Sequence, residues 1–180
     1  MKLVHLAILI LAAGSCFAQN DPETLKFLHE IIKRPKDSAT IYYTDKTDPV
    51  PVQYMLRKIK AGKPLHDARN ITRATLILSS RELASLKDQL NSARGQAWKE
   101  GLFAQAASIS PDSARSFLSR DRGRILYIFS RPAFIRKGTI AFFYLARLCC
   151  GDIYGPVDLA FYKKTATGWE HWISVDGGAF

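Results

Sequence analysis

The sequence predicts an α+β domain, with N-terminal helices packed on a C-terminal antiparallel β-meander. Helical spacing of apolar residues is confined to the chain before Arg124, and strand-like alternation runs from there to the end. Connections within that tail are short, at Arg136-Lys137-Gly138, 151–156 and Thr165-Ala166-Thr167-Gly168, whereas a parallel crossover needs about a dozen residues or more. Helices therefore precede strands instead of alternating with them.

The chain opens with Lys2, an apolar run from Leu3 to Ala13 and small residues closing on Cys16-Phe17-Ala18, the layout of a secretory signal peptide. That run is too short to span a bilayer, and no later stretch supplies a transmembrane segment. Residues 1–18 are read as the signal peptide and 19–180 as a single α+β domain that is periplasmic or secreted. Ala13-Gly14-Ser15-Cys16 also loosely fits a lipoprotein cleavage site, so anchoring through Cys16 is the alternative. A domain of about 160 residues removes roughly 70% of its unfolded surface from water without needing disulfides. Cysteine is correspondingly scarce: only the adjacent Cys149 and Cys150 remain once Cys16 leaves.

Within the domain, Asp21-Pro22 is an N-cap followed by proline at the first helical position. Leu25, Leu28, Ile31 and Ile32 recur at helical spacing until Pro35. Residues 39–44 are rich in β-branched and aromatic side chains and predict a strand, ended by Asp48-Pro49-Val50-Pro51. Val52 to Asn70 carries little signal beyond a helical turn or two at Tyr54, Met55, Leu56 and Ile59, broken by Gly62-Lys63-Pro64. Ala74 to Leu78 reads as a buried strand leading into Ser79 and Glu82, a capping box that starts a helix with Leu83, Leu86, Leu90 and Ala93 on one stripe. Ser110-Pro111-Asp112 launches a shorter helix through Phe117 and Leu118.

In the tail, Ile125 to Phe129 and Thr139 to Leu148 are apolar on both faces, as central strands are. In the second, Ile140, Phe142 and Tyr144 take one side and Ala141, Phe143 and Leu145 the other. Val157, Leu159 and Phe161 alternate with Asp158 and Lys164, predicting one wet side. The last strand places Trp169, His171, Ile173 and Val175 opposite Glu170, Trp172 and Ser174. Ile41 and Leu76 can join this sheet at either edge.

The formal charge is +10, falling to about +9 when Lys2 leaves with the signal. Basic residues are scattered singly and in pairs, which speaks against a specific nucleic-acid site and for either a solvated surface or an anionic envelope polymer as partner. Adjacent Cys149 and Cys150 can close a strained disulfide, or serve as small residues at a strand end. Cys150 with His171 is the one nucleophile-and-base pairing available, with Asp152 beside it, but no signature supplies an orienting group or oxyanion site. Arg131, Tyr154, Trp169 and Trp172 are the ligand-binding candidates. Asp152, Asp158, Glu170 and Asp176 can meet at a sheet end or stay solvated in turns. His29 and His66 are isolated, no metal-ligand spacing occurs, and no cofactor motif appears.

Ser130-Arg131-Pro132-Ala133-Phe134, an aromatic strand, Cys150-Gly151 and a closing Gly168-Trp169 resemble a group of small exported bacterial proteins of unknown function whose pattern runs S-R-P-x-F, C-G-x-x-C-G, G-x-W. The likeness covers Leu76 to Trp172 and includes the Ser79 helix start and Trp98 with Leu102-Phe103. It departs at Tyr154, where that group has its second cysteine, so the group's bridge cannot form here. The resemblance implies export and a shared fold, and no activity. The function expected is a non-enzymatic binding or interaction domain in the bacterial envelope or outside the cell, with another envelope protein as a further candidate partner. The alternative is a small envelope hydrolase or thiol-dependent enzyme using Cys150 and His171.

Overall fold

The computed structural model describes residues 21–32, 40–47, 56–71, 73–98, 100–121, 123–149 and 157–176. Residues 1–18, the stretch read from sequence as a signal peptide, and with them Cys16, lie outside the described residues. Among the described residues no helix is long and apolar enough to cross a membrane.

The chain is α+β, with three helices among the described residues and a large mixed sheet of seven strands. Helix α1 (Pro22–Ile31) begins where Asp21 accepts the Glu23 amide and proline fills the first turn. Strand β1 (Ile41–Thr44) follows, then β2 (Pro64–His66) and β3 (Thr75–Ile77), which form a separate two-stranded sheet. Helix α2 (Ser80–Ser92) starts at the expected capping box. Ser79 accepts the Glu82 amide while the Glu82 carboxylate accepts the Ser79 amide at 2.8 Å. Strand β4 (Ala106–Ile109) precedes a short 3₁₀ turn (Pro111–Ser113) and helix α3 (Ala114–Arg120).

The tail supplies β5 (Ile125–Phe129), β6 (Ala133–Ile135), β7 (Ile140–Cys149), β8 (Val157–Thr165) and β9 (Gly168–Asp176), whose pairings with one another are all antiparallel. Strands β5 and β6 lie end to end along one edge of β7, separated by a jog at Ser130-Arg131-Pro132. There the Ser130 amide donates to the Tyr144 carbonyl and the Tyr144 amide to Ser130 Oγ, each at 3.1 Å. The serine hydroxyl thus stands in for a missing ladder acceptor.

The structure corrects the expectation of a pure meander. The sheet order is β4-β1-β5-β7-β8-β9, and β1 runs parallel to both β4 and β5. Helices therefore do not all precede the sheet: long connections, one of them carrying α2, bring N-terminal strands to its edge in parallel. β3 is not the buried strand expected. Leu76 and Leu78 are buried, but Ile77 is 53% exposed, because among the described residues β3 pairs only with β2.

Both faces of the sheet are covered. Leu83, Leu86 and Leu90 of α2 pack on Ile140, Phe142, Tyr144, Leu159 and Phe161. On the opposite face Phe27 and Leu28 of α1, with Trp98, Leu102 and Phe103, cover Phe129, Ala141, Phe143, Ala160, Tyr162 and Trp169. Phe27 meets Phe143, Tyr162 and Trp169 edge-on, with ring centroids 5.0, 5.4 and 5.1 Å away. The side of β8 expected to be wet is therefore dry at Ala160 and Tyr162.

The last strand departs from simple alternation. Tyr162 pairs with His171 but Phe161 with Ile173, so Trp172 is the extra residue of a β-bulge; a second irregularity falls at Val175. His171 and Ser174, expected on opposite faces, consequently share one.

Candidate functional site

Helix α1 has 10 residues, about 15 Å of rise, while β7 of the same length extends about 33 Å. The helix cannot cover the whole face. Past its C-terminal end, at Glu30 and Ile31, a recess of about 470 Å³ opens over β5, β7, β8 and β9. Tyr127, Leu145, Arg147, Val157, Asp158, Tyr162, Trp169 and His171 form its floor and walls, and Arg69 reaches in from the loop after β2.

That loop is tied down by Asp67, which is 3% exposed. Its carboxylate accepts the amides of Ile71 at 2.8 Å and Ser174 at 3.0 Å, and the Ala68 amide donates to the Ser174 carbonyl at 2.9 Å. Arg69 is thereby carried to Asp158, with Nη2 3.1 Å from Oδ1 and donating to the Val157 carbonyl at 3.1 Å. Tyr162 donates its hydroxyl to Asp158 Oδ2 at 2.8 Å, and His171 Nε2 lies 3.4 Å from Oδ1. Burial pushes the Asp158 carboxyl up. Hydrogen bonds from His171 and Tyr162 and the charges of His171 and Arg69 outweigh it, leaving the group below its ordinary value. Burial, then the Asp158 charge, raises the Tyr162 phenol, which stays a proton donor. At the other end the Glu30 carboxylate accepts the Trp169 amide at 2.7 Å.

Ser174 Oγ lies 3.0 Å from His171 Nε2, so serine, histidine and aspartate are gathered in one place. They do not form a nucleophilic relay. Both partners meet the same ring nitrogen, whereas a relay places nucleophile and orienting carboxylate on different nitrogens, and Ser174 is fully buried. The arrangement holds the imidazole in place.

Of the residues singled out from sequence, Asp158, Trp169 and His171 line this recess. Trp169 is 7% exposed and packs on Phe27, so it belongs to the core more than to the opening. Trp172, on the bulge, packs against the opposite face, with Lys163 Nζ 5.7 Å from its ring centre. Arg131 sits at the jog in a different recess beside Asp21, Asp88 and Gln89, its guanidinium 4.7 Å over the Trp98 ring and Nη2 donating to the Ala97 carbonyl at 3.4 Å. Cys149 ends β7, half-buried and paired with Ile125. Cys150, Asp152 and Tyr154 lie outside the described residues, and with them the Cys149–Cys150 disulfide and the Cys150–His171 pairing. Glu170 faces the β8–β9 turn, 3.2 Å from Thr165 Oγ1, apart from Asp158.

Sequence reasoning missed Arg69, Arg147, Tyr127, Tyr162 and Glu30 as site residues. The available signal is a polar residue breaking an apolar face: Arg147 falls two positions past Leu145, and Asp158 two before Ala160. Among the described residues no cluster of three or more His, Cys, Asp or Glu side chains could hold a metal ion. Compared with known proteins, the chain matches no family model, no curated protein and no solved structure.

Proposed function

We propose that the protein is an exported, non-enzymatic binding domain, acting in the periplasm or outside the cell, that engages its ligand at the recess beyond α1. One observation carries this reading. The recess gathers charged and hydrogen-bonding groups over an apolar floor, as small-ligand sites do, while its histidine and serine are committed to each other. Export rests on the N-terminal pattern and on the resemblance to small exported bacterial proteins. The net charge of +10 suits an anionic envelope polymer, or an acidic region of another envelope protein, as the source of the ligand.

The test has two parts. Fractionation of cells producing the full chain should recover a processed protein outside the cytoplasm; retention of the unprocessed chain in the cytoplasm overturns export. Globomycin blocking that processing would instead favour anchoring through Cys16. The purified domain should sediment with isolated anionic envelope polymer in low salt and less so in high salt. It should also show no hydrolysis of ester or thioester substrates that depends on Cys150 or His171. Hydrolysis abolished by Cys150→Ser would establish the thiol-enzyme alternative.

A further inference from the structure

We infer that the β2–β3 sheet and the turns beside it form a docking face for an anionic lipid surface, with Ile71 and Ile77 entering the headgroup layer among basic side chains. This goes beyond the binding reading above and does not depend on it. The small sheet packs on the α2 side, where Leu76 and Leu78 share a cluster with Leu83 and Leu86, whereas the recess opens on the α1 side.

The charge originates in two stretches of sequence. Residues 49–81 carry seven Lys and Arg against one acid, Asp67, and residues 122–151 carry no acid at all. Folding brings the two stretches together. Arg136, in the turn after β6, donates to the Ile77 carbonyl at 2.8 Å and lies 2.7 Å from Glu82 Oε1, so that turn sits at the end of β3 beside the first turn of α2. The Gly62 amide donates to the Leu78 carbonyl at 2.8 Å and closes the turn between Lys60 and Lys63 onto the same end. Lys60, Lys63, Arg81, Arg136 and Lys137 are all exposed. Five cations thus meet Glu82 at this corner, and the excess stays positive even with Asp67, past the far end of β2, counted as charged.

The apolar part lies on the same unit. Leu76 turns inward, while Thr75 and Ile77 turn outward opposite His66 and Pro64 of β2. Ile77 is 53% exposed and Ile71, in the loop joining the two strands, 72%; among the described residues these are the exposed large hydrophobics. A single exposed apolar side chain is ordinary, but both of these fall on the one small sheet that carries the basic excess. An anionic lipid surface answers both properties, since its headgroups attract the cations and its acyl boundary takes the isoleucines. A soluble anionic polymer answers the charge alone. A protein partner needs a fitted pocket for each isoleucine, whereas a fluid layer closes round side chains that stand apart.

The experiment is co-sedimentation of the purified protein with vesicles of equal parts phosphatidylglycerol and phosphatidylcholine, and with vesicles of phosphatidylcholine alone. The anionic vesicles should bind at least tenfold more tightly at low salt, and high salt should remove the preference. The triple variant Lys60→Gln, Lys63→Gln, Lys137→Gln should weaken that binding at least tenfold, each cation being worth about fivefold at such a surface. The same change of charge in Lys46→Gln, Arg115→Gln, Arg120→Gln, exposed on and beside α3, should weaken it less than threefold. Ile71→Ser with Ile77→Ser should weaken vesicle binding at least fivefold and leave binding to soluble polyglutamate unchanged. An apolar N-terminus adds the same affinity to every variant, so the differences between variants decide. Thermal melts followed by circular dichroism show that each variant folds, and if the isoleucine pair does not, Ile77→Ser alone takes its place.

Absence of binding to the anionic vesicles, or equal loss in the two triple variants, overturns the docking face. Loss in the lysine variant with none in the isoleucine variant overturns lipid as the partner and leaves a basic surface for an anionic polymer. None of these substitutions lies in the recess, so their failure leaves the binding reading above standing.

Discussion

Asp158 is the most heavily committed side chain of the recess, and its ionisation has a stability signature. Its folded-state pKa lies below the ordinary 3.8, so the stabilisation it brings is fully present above that value and is lost as pH falls through the lowered one. Asp158→Asn should lower unfolding stability near neutral pH by about 1–3 kcal/mol. The gap from the unmodified protein, read from denaturant midpoints, should close as pH drops below 3.8. Gly168 makes a steric prediction. A Cβ there would lie 2.6 Å from Glu30 Oε2, the oxygen that accepts the Trp169 amide, and the residue's φ is +132°. Gly168→Ala should therefore cost about 1–3 kcal/mol, seen as a lowered melting temperature. A glycine before a tryptophan is visible in the chain. What it makes room for, a carboxylate from a helix more than a hundred residues earlier, is not.

At the scale of elements, those with local causes were the legible ones. The capping box at Ser79 and Glu82, the Asp21-Pro22 start and the alternation of β7 depend on neighbours in sequence, and all are present. Arg136, in the left-handed region at φ +51°, adds a long-range clamp, its Nε 2.7 Å from Glu82 Oε1. The Arg136 hydrogen bond, then that from the Ser79 amide, brings the Glu82 carboxyl down to about 2. Glu82→Gln should show its deficit above pH 4.5, with the difference fading as acid approaches about 2. Solvent exposure of both partners keeps the deficit near about 1 kcal/mol. At the jog, Ser130→Ala removes the acceptor of the Tyr144 amide in a buried place. A loss of about 1–3 kcal/mol in denaturant unfolding is expected, larger than for Ser130→Thr, which keeps the hydroxyl. Strand β4 and the parallel seat of β1 escaped sequence reasoning because short strands carry little periodicity, and their partners are set by the sheet they join.

Over the whole molecule, two apolar clusters on opposite faces share one sheet, so neither helical layer has a core of its own to fold around. Unfolding should occur in a single cooperative transition. Phe27→Ala on one face and Leu86→Ala on the other should each lower that same transition by about 2–5 kcal/mol. Tryptophan fluorescence and far-ultraviolet circular dichroism should give coincident curves; separate midpoints would show independent layers. The amino-acid order by itself determined the α+β class, the antiparallel pairing within the tail, and the helix starts at Asp21 and Ser79, since these follow from residue spacing within single elements. Tertiary structure alone decided the mixed sheet, the recess where α1 falls short of β7, and the bulge at Trp172 that turns His171 and Ser174 to the same side. The physical reason is that each depends on register and relative length between distant segments, which side-chain pattern within one segment does not encode.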